Sequence, residues 1–197
     1  MAEIRTPAAP REVGLYCPAA DDWAGLRDIR LRSIANFPLG FFESFAAALA
    51  LTEEDWRQRG ARNAEPTSYQ VVARTPLEQQ WVGTMAAFVS TGPPSYQQGY
   101  QPEAPTIVGP ARANLVGVWV DPTYRGRTGV AAQLLGAVRA WAITEHQLDT
   151  LYLHVHESNH RAIRFYEKSG AVATGEYIDD PRRPAERHLE MMMATAR

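Results

Sequence analysis

Arg125, Gly126, Arg127, Thr128 and Gly129 stand between a β-branched run, Leu115 to Val120, and an apolar helical period that begins at Val130. Residues of these types at such a junction can hold a phosphate. Gly126 and Gly129 can take conformations that turn backbone N–H groups inward, and a helix starting near Gly129 adds the positive end of its dipole. Arg125 and Arg127 bring charge and Thr128 a hydroxyl. An ordinary strand-to-helix connection with solvated arginines has the same composition, and Gly-x-x-Gly is a common pattern. The segment matches neither Gly-x-x-x-x-Gly-Lys-Ser/Thr nor Gly-x-Gly-x-x-Gly, which argues against a nucleoside triphosphate or a dinucleotide.

Proton-transfer chemistry has two candidates downstream. His154 lies in the middle of an alternating strand, and an imidazole with a pKa of about 6.5 suits general-base work at neutral pH; a solvated or structurally hydrogen-bonded histidine would look the same. Tyr166 follows Asn159 by seven residues, two helical turns, so the two share a face. A helical tyrosine is also a common core residue with its hydroxyl at the rim. His154, His156 and His160 make a poor metal site, because no cysteine or suitably placed carboxylate completes the set, and no metal is expected.

The elements that must position these residues follow from periodicity. Val13 to Tyr16 reads as a short first strand, and Asp21 or Asp22 as the cap of a helix that buries Leu26, Ile29, Leu31 and Ile34. Phe41, Phe42 and Phe45 lead into an alanine-rich helical turn, and Thr52-Glu-Glu-Asp55 resembles a capping box that opens a helix to about Arg62. Tyr69 to Thr75 and Trp81 to Ser90 form a predicted hairpin. Residues 92–112 carry five prolines and three glycines and read as a long loop insertion, either a surface excursion or a lid using Tyr96 and Tyr100.

Beyond that loop, Val130, Leu134, Leu135, Val138, Trp141 and Ala142 recur at helical spacing. Thr150 to His156 alternates as a strand, with Leu151, Leu153 and Val155 facing one way and Tyr152, His154 and His156 the other. Asn159 to Lys168 reads as a second helix ending at Gly170. Ala171 to Ile178 and Arg187 to Met193 read as closing strands joined by a polar turn from Asp179 to Glu186. The expected fold class is α/β (α+β): a mixed, mostly antiparallel sheet of about seven strands with helices on both faces. Residues 1–11 read as a flexible tail and 12–197 as a single domain.

Composition narrows the function classes. The chain has 197 residues, is 45% apolar and 21% charged, and carries a formal charge of −2. No global field draws it to nucleic acid or to an anionic membrane, so phosphate attraction must be local. The single cysteine, Cys17, excludes an internal disulfide and a Cys-rich metal site and is expected as a buried small side chain. The N-terminus lacks a signal-peptide apolar region, and no stretch approaches the ~18 apolar residues that span a bilayer. These readings point to a cytoplasmic enzyme or binding domain.

The segment Val118-Trp-Val-Asp-Pro-Thr-Tyr-Arg-Gly-Arg-Thr-Gly-Val-Ala131 resembles motif A of the GNAT acetyltransferases, Arg/Gln-x-x-Gly-x-Gly/Ala. The segment Leu151 to Gly170, with Asn159, Ala162 and Tyr166, resembles that family's motif B. Two motifs in the right order, about 30 residues apart, are far more specific than either alone. The likeness runs from residue 12 to 194 in element order, and its specific part is Leu115 to Gly175. The loop is one residue longer than the pattern: Arg125 fits by its distance from Pro122, Arg127 by its closeness to Gly129.

The resemblance implies acetyl-CoA as co-substrate. Backbone groups of Val118 and Val120 would pair with the pantetheine arm, and the loop from Arg125 to Val130 (Arg125, Gly126, Arg127, Thr128, Gly129, Val130), with Ala131 next to it, would bind the pyrophosphate. Asn159 would face the cofactor. Tyr166 would protonate the departing thiolate, and His154 would act as base through water. Asn114 stands where histone-type members place a glutamate base. Phe37 to Phe45 and Asp179 to Glu186 would wall the acceptor site. The implied reaction is acetyl transfer to a primary amine of a small molecule or a peptide N-terminus, by direct attack in a ternary complex. A non-catalytic acyl-CoA sensor or partner-binding module is the alternative. The long loop and the edge of a closing strand offer contacts for a homodimer.

Overall fold

Successive residues of a strand point to opposite faces of its sheet, and the apolar runs of this chain use that rule to build two cores. The strands are β1 (Gly14–Tyr16), β2 (Ser68–Arg74), β3 (Trp81–Thr91), β4 (Ala111–Val120), β5 (Thr150–His156), β6 (Val172–Asp180) and β7 (Arg183–Ala194). The helices are α1 (Trp23–Asn36), α2 (Phe45–Ala50), α3 (Glu53–Ala61), α4 (Val130–His146) and α5 (His160–Lys168). They belong to a computed structural model that describes residues 12–91, 110–126 and 129–196. The strands form one sheet in the order β1-β2-β3-β4-β5-β7-β6. Neighbours run antiparallel except β4 and β5.

On one face, Val71, Leu115, Leu151 and Leu153 pack under Val130, Leu134, Leu135 and Val138 of α4 and Tyr166 of α5. On the other, Val72 and Trp119 pack under Leu26, Ile29 and Ile34 of α1 and Trp56 of α3. The expected seven-stranded sheet with helices on both faces is the one observed. The helical face expected of α4 is buried in full. In α1 the buried set is Leu26, Ile29, Ser33 and Ile34, with Leu31 only half-buried.

Several local expectations are corrected. Asp22 occupies the position before α1, but its carboxylate accepts from the Tyr16 hydroxyl (2.7 Å) and the Ala19 N–H (2.8 Å) and so ties the helix start back to β1. Cys17 is exposed rather than buried, because β1 ends at Tyr16 and releases it onto the surface. Ala111 and Arg112, the last two residues of the expected loop, belong to β4 and pair with Thr91 and Ser90. The rest of that loop through Gly109, with Tyr96 and Tyr100, lies outside the described residues, as does the expected tail 1–11.

The polar stretch Asp179 to Glu186 is mostly strand, and only Pro181 and Arg182 make the turn. Cross-strand pairs hold it in the ladder: Asp179 faces Arg187, and Asp180 forms a 2.6 Å ion pair with Arg183.

The capping box of α3 forms as expected. The Thr52 N–H donates to Asp55 (2.8 Å), and the Asp55 N–H donates to the Thr52 hydroxyl (3.2 Å). The far end of α3 is set by Gly60, which lies against the short turn before α1. A Cβ there would fall 2.8 Å from the Ala19 carbonyl oxygen and 2.8 Å from the Ala20 Cα, backbone atoms that cannot rotate away. Gly60→Ala is expected to destabilise the fold by about 1–3 kcal/mol, read as a lower urea midpoint with an unchanged m-value.

Candidate active site

The site begins where β4 leaves β5. The parallel pairing covers only Ala113 to Leu115 against Leu151 to Leu153. Beyond Leu115, β4 continues along β3 to Val120, while β5 continues along β7 to His156. Val116 to Val120 therefore have no strand partner on their β5 side.

A bulge accompanies the parting. Thr84 faces Trp119 and Ala86 faces Val116, so three steps on β4 match two on β3. Gly117 sits in this bulge at φ +60°, and a Cβ there would meet only the Ala86 Cβ at 3.9 Å. The backbone conformation, and not crowding, is what demands glycine. An isolated glycine inside a strand pattern was the available signal for this bulge, and periodicity alone passed over it.

The loop after β4 places its glycines as expected. Gly126 has φ +86° and Gly129 φ +72°. Gly129 occupies the N-cap position of α4 and contributes no side-chain cap, so the first-turn amides of that helix are left for another acceptor. The side chain of Val130 is buried in the core and only its backbone can serve a ligand; Ala131 is half-buried beside it.

Arg125 is spent within the protein. Its Nε donates to the Val120 carbonyl (2.6 Å), and an Nη donates to the Asn36 side chain. Burial, and then the neighbouring charge of Arg161, hold its pKa below the usual arginine value. Arg127 and Thr128 lie outside the described residues. Asn159 caps α5, its side-chain oxygen accepting from the Ala162 N–H (3.2 Å), which leaves its amide NH2 as the group to face a ligand.

On the α1–α3 face the parting opens into a cavity of about 740 Å³, within the range of small-molecule sites. Gly117 and His154 lie in its wall, with Phe41, Phe42, Glu43 and Arg182 from the two expected acceptor segments. His154 is not solvated. Its side chain is 5% exposed, and its Nε2 lies 3.5 Å from a Glu190 carboxylate that itself makes a 2.5 Å ion pair with Arg112. Burial outweighs the pull of Glu190 and pushes the His154 pKa down to about 4, so the ring is neutral at pH 7.

His188, which drew no notice in the sequence, joins the same wall. Its ring packs against Phe42 in a tilted arrangement, centroids 4.4 Å apart, and lies 3.5 Å from Asp180, and burial pushes its pKa down too. It lies within the expected closing strand, opposite His156 of β5.

Tyr166 lies on the opposite face of the sheet, 5% exposed among the residues under α4, with its pKa raised by burial. It stays protonated throughout the neutral range. His154 and Tyr166 thus lie on opposite faces of the sheet. Asn114 is a structural residue, buried and donating to the Ser90 hydroxyl at 2.9 Å. His156 is also committed, with Nε2 at 2.6 Å from Glu186 and Nδ1 accepting from the Ser158 N–H. No group of His, Cys, Asp and Glu that could hold a metal ion occurs among the described residues.

These features match a known family. The chain fits the profile of the Acetyltransferase (GNAT) family over residues 31–171, and it belongs to that family. It is therefore an N-acetyltransferase of the GNAT type. Among solved structures, a GNAT-family acetyltransferase from Streptococcus pneumoniae superposes with a TM-score of 0.65 at 18% identity, over 93% of this chain and 99% of that one. Spermidine N-acetyltransferase from Vibrio cholerae, in complex with CoA and spermine, gives 0.65 at 15% identity, over 93% and 96%. Arabidopsis thaliana NAA60 bound to a bisubstrate analogue gives 0.62 at 15%, over 93% and 98%. These superpositions show a shared fold. No curated protein matches the sequence.

The buried state of His154 has a consequence for stability. An unfolded histidine takes up its proton near pH 6.5, whereas folded His154 holds out to about 4. Its contribution to stability is complete above pH 6.5 and is lost as the pH falls from there to about 4. Urea unfolding between pH 7 and pH 4 should show a smaller acid loss in His154→Gln than in the parent chain.

Proposed function

We propose that the chain moves the acetyl group of acetyl-CoA to a primary amine of a small molecule or a peptide N-terminus by direct attack in a ternary complex. One observation carries the reading: the stretch of β4 left unpaired on its β5 side begins at Val116 and Gly117 in the cavity wall and runs to Val120, before the turn that leads to the uncapped start of α4. Acetyl-CoA would lie in the parting of β4 and β5, its pantetheine along the backbone of Val116 to Val120, with Val118 offering pairing groups. The Val120 carbonyl already accepts from Arg125, so that residue would brace the loop, leaving the pyrophosphate to the amides of Gly126 and Gly129 to Ala131 with Arg127 and Thr128. Arg161, whose charge reaches Arg125, would add cationic field at the same end.

The amine nitrogen would attack the thioester carbonyl carbon, and collapse of the tetrahedral adduct would break the C–S bond. Tyr166 would give its phenolic proton to the CoA sulfur and recover one from solvent. A desolvated phenol is a weaker acid than usual, but the same surroundings raise the basicity of the leaving thiolate. The proton lost by the amine would pass toward His154 through water. A base of low pKa works here by accepting a hydrogen bond from an already neutral amine, and the Glu190 carboxylate would steady any positive charge it gains. N-acetyltransferases of a polyamine and of the NAA60 type share the fold, which supports an amine acceptor.

The test is thiol release from acetyl-CoA with a panel of amines. Tyr166→Phe is expected to lower kcat by roughly 10²-fold or more, with little change in the KM for acetyl-CoA; full activity would remove it as the acid. Gly129→Val should act in the other sense, raising the KM for acetyl-CoA by straining the φ +72° position and blocking the helix amides. CoA-dependent thermal stabilisation with no turnover of any amine would assign the chain to the non-catalytic reading.

A further inference from the structure

The acceptor cavity carries an excess of positive charge. Among the described residues, its wall holds four arginines (Arg30, Arg59, Arg62 and Arg182) against two carboxylates, Glu43 and Asp55. Both carboxylates are already engaged. Glu43, 13% exposed at its side chain, is gripped by Arg30 at 2.9 Å and by Arg59 at 2.6 Å. Burial would raise its pKa, but those two guanidinium groups hold it below the usual carboxylate value, so it stays ionised. Asp55 is turned onto Thr52 in the capping box of α3.

Two cations are left without a matching carboxylate of their own. Arg62 follows α3, is half-buried, and forms no ion pair among the described residues. Arg182, at the β6–β7 turn, donates to the Phe41 carbonyl and lies 3.9 Å from Asp180. That carboxylate is held more tightly by Arg183 at 2.6 Å. Burial and the charge of Arg183 disfavour the Arg182 cation. An anion entering the cavity would relieve that cost, whereas a second cation would add to it. Phe41, Phe42 and Trp56 line the same space and supply apolar contact.

We propose that the acceptor is an amine that also carries a carboxylate, with the carboxylate held by Arg62 and Arg182 while the amine reaches His154 beside Gly117. The proposal rests on the acetyltransferase reading and names the substrate class of the same site. It also sets the site against polyamines, whose additional ammonium groups would meet the arginines.

The experiment compares matched pairs in the thiol-release assay: 4-aminobutyrate, 6-aminohexanoate, phenylalanine and glycylphenylalanine, each beside its carboxamide, with spermidine as a polycation. At least one carboxylate is expected to exceed its amide by tenfold or more in kcat/KM, through a lower KM. Arg62→Gln should bring that ratio toward one. Arg182→Gln serves as a second variant with the same expected loss, its folding checked by thermal melt. Turnover in which amides equal carboxylates, or in which spermidine is preferred, overturns the proposal and leaves acetyl transfer standing. If no amine is turned over, acetyl transfer is what fails. Calorimetric titration of the CoA-bound protein with the same pairs then decides the charge preference: carboxylate-selective binding lost in Arg62→Gln supports it, and equal or absent binding of carboxylates overturns it.

Discussion

A parallel pair hydrogen-bonded over three residues is the constraint on which this molecule depends. Ala113 to Leu115 hold β4 to β5, and from Val116 onward the two strands follow different partners, β4 to β3 and β5 to β7. A sheet that stayed paired would satisfy every backbone group between them and leave nothing for a ligand. The parting instead exposes a row of donors and acceptors at the centre of a seven-stranded sheet, where the flanking strands keep them rigid. The bulge at Gly117 bends β4 at the point where the pairing ends, and only a residue at ease with positive φ can occupy it.

The two proton-handling candidates sit on opposite faces of the sheet. Tyr166 belongs to the core under α4, and His154 to the wall of the cavity under α1 to α3. Each keeps one protonation state through the neutral range because each is buried: the phenol protonated, the imidazole unprotonated. Desolvation therefore leaves the two side chains with opposite proton inventories, one able to give a proton and the other to take one.

The cavity's charge arises from a different source. α1, the α3 region and the β6–β7 turn are separate in the chain, and each brings arginines to the wall: Arg30, then Arg59 and Arg62, then Arg182; their aliphatic stems can cover apolar surface. Glu43 forms ion pairs with two of them, Arg30 and Arg59. A site assembled in this way selects by the charge it leaves unanswered, which is a property of the assembly and of no single segment.

Much of the fold could be read in the sequence. Apolar period gave α4 and its buried face; alternation gave β2, β3 and β5; Thr52 and Asp55 marked the start of α3; and the order of the two motifs gave the family. Those signals are local, set by φ/ψ preference and by which side of one element is apolar. What was not legible depends on partners distant in the chain. The strand character of the polar Asp179–Glu186 segment comes from pairing with its own return strand, and the burial of His154 from Glu190 and the cavity around it.

The attachment of Arg125 to Asn36 spans 89 positions, and the joining of Arg62, Arg182 and Glu43 around one space spans 139 (182 − 43). Sequence by itself determined the elements, their order and the phosphate-competent turn, because these follow from neighbours in the chain. Only the tertiary structure decided where β4 leaves β5, which histidines face the cavity and what charge that cavity carries, because desolvation and Coulomb energy depend on distances that no local pattern specifies.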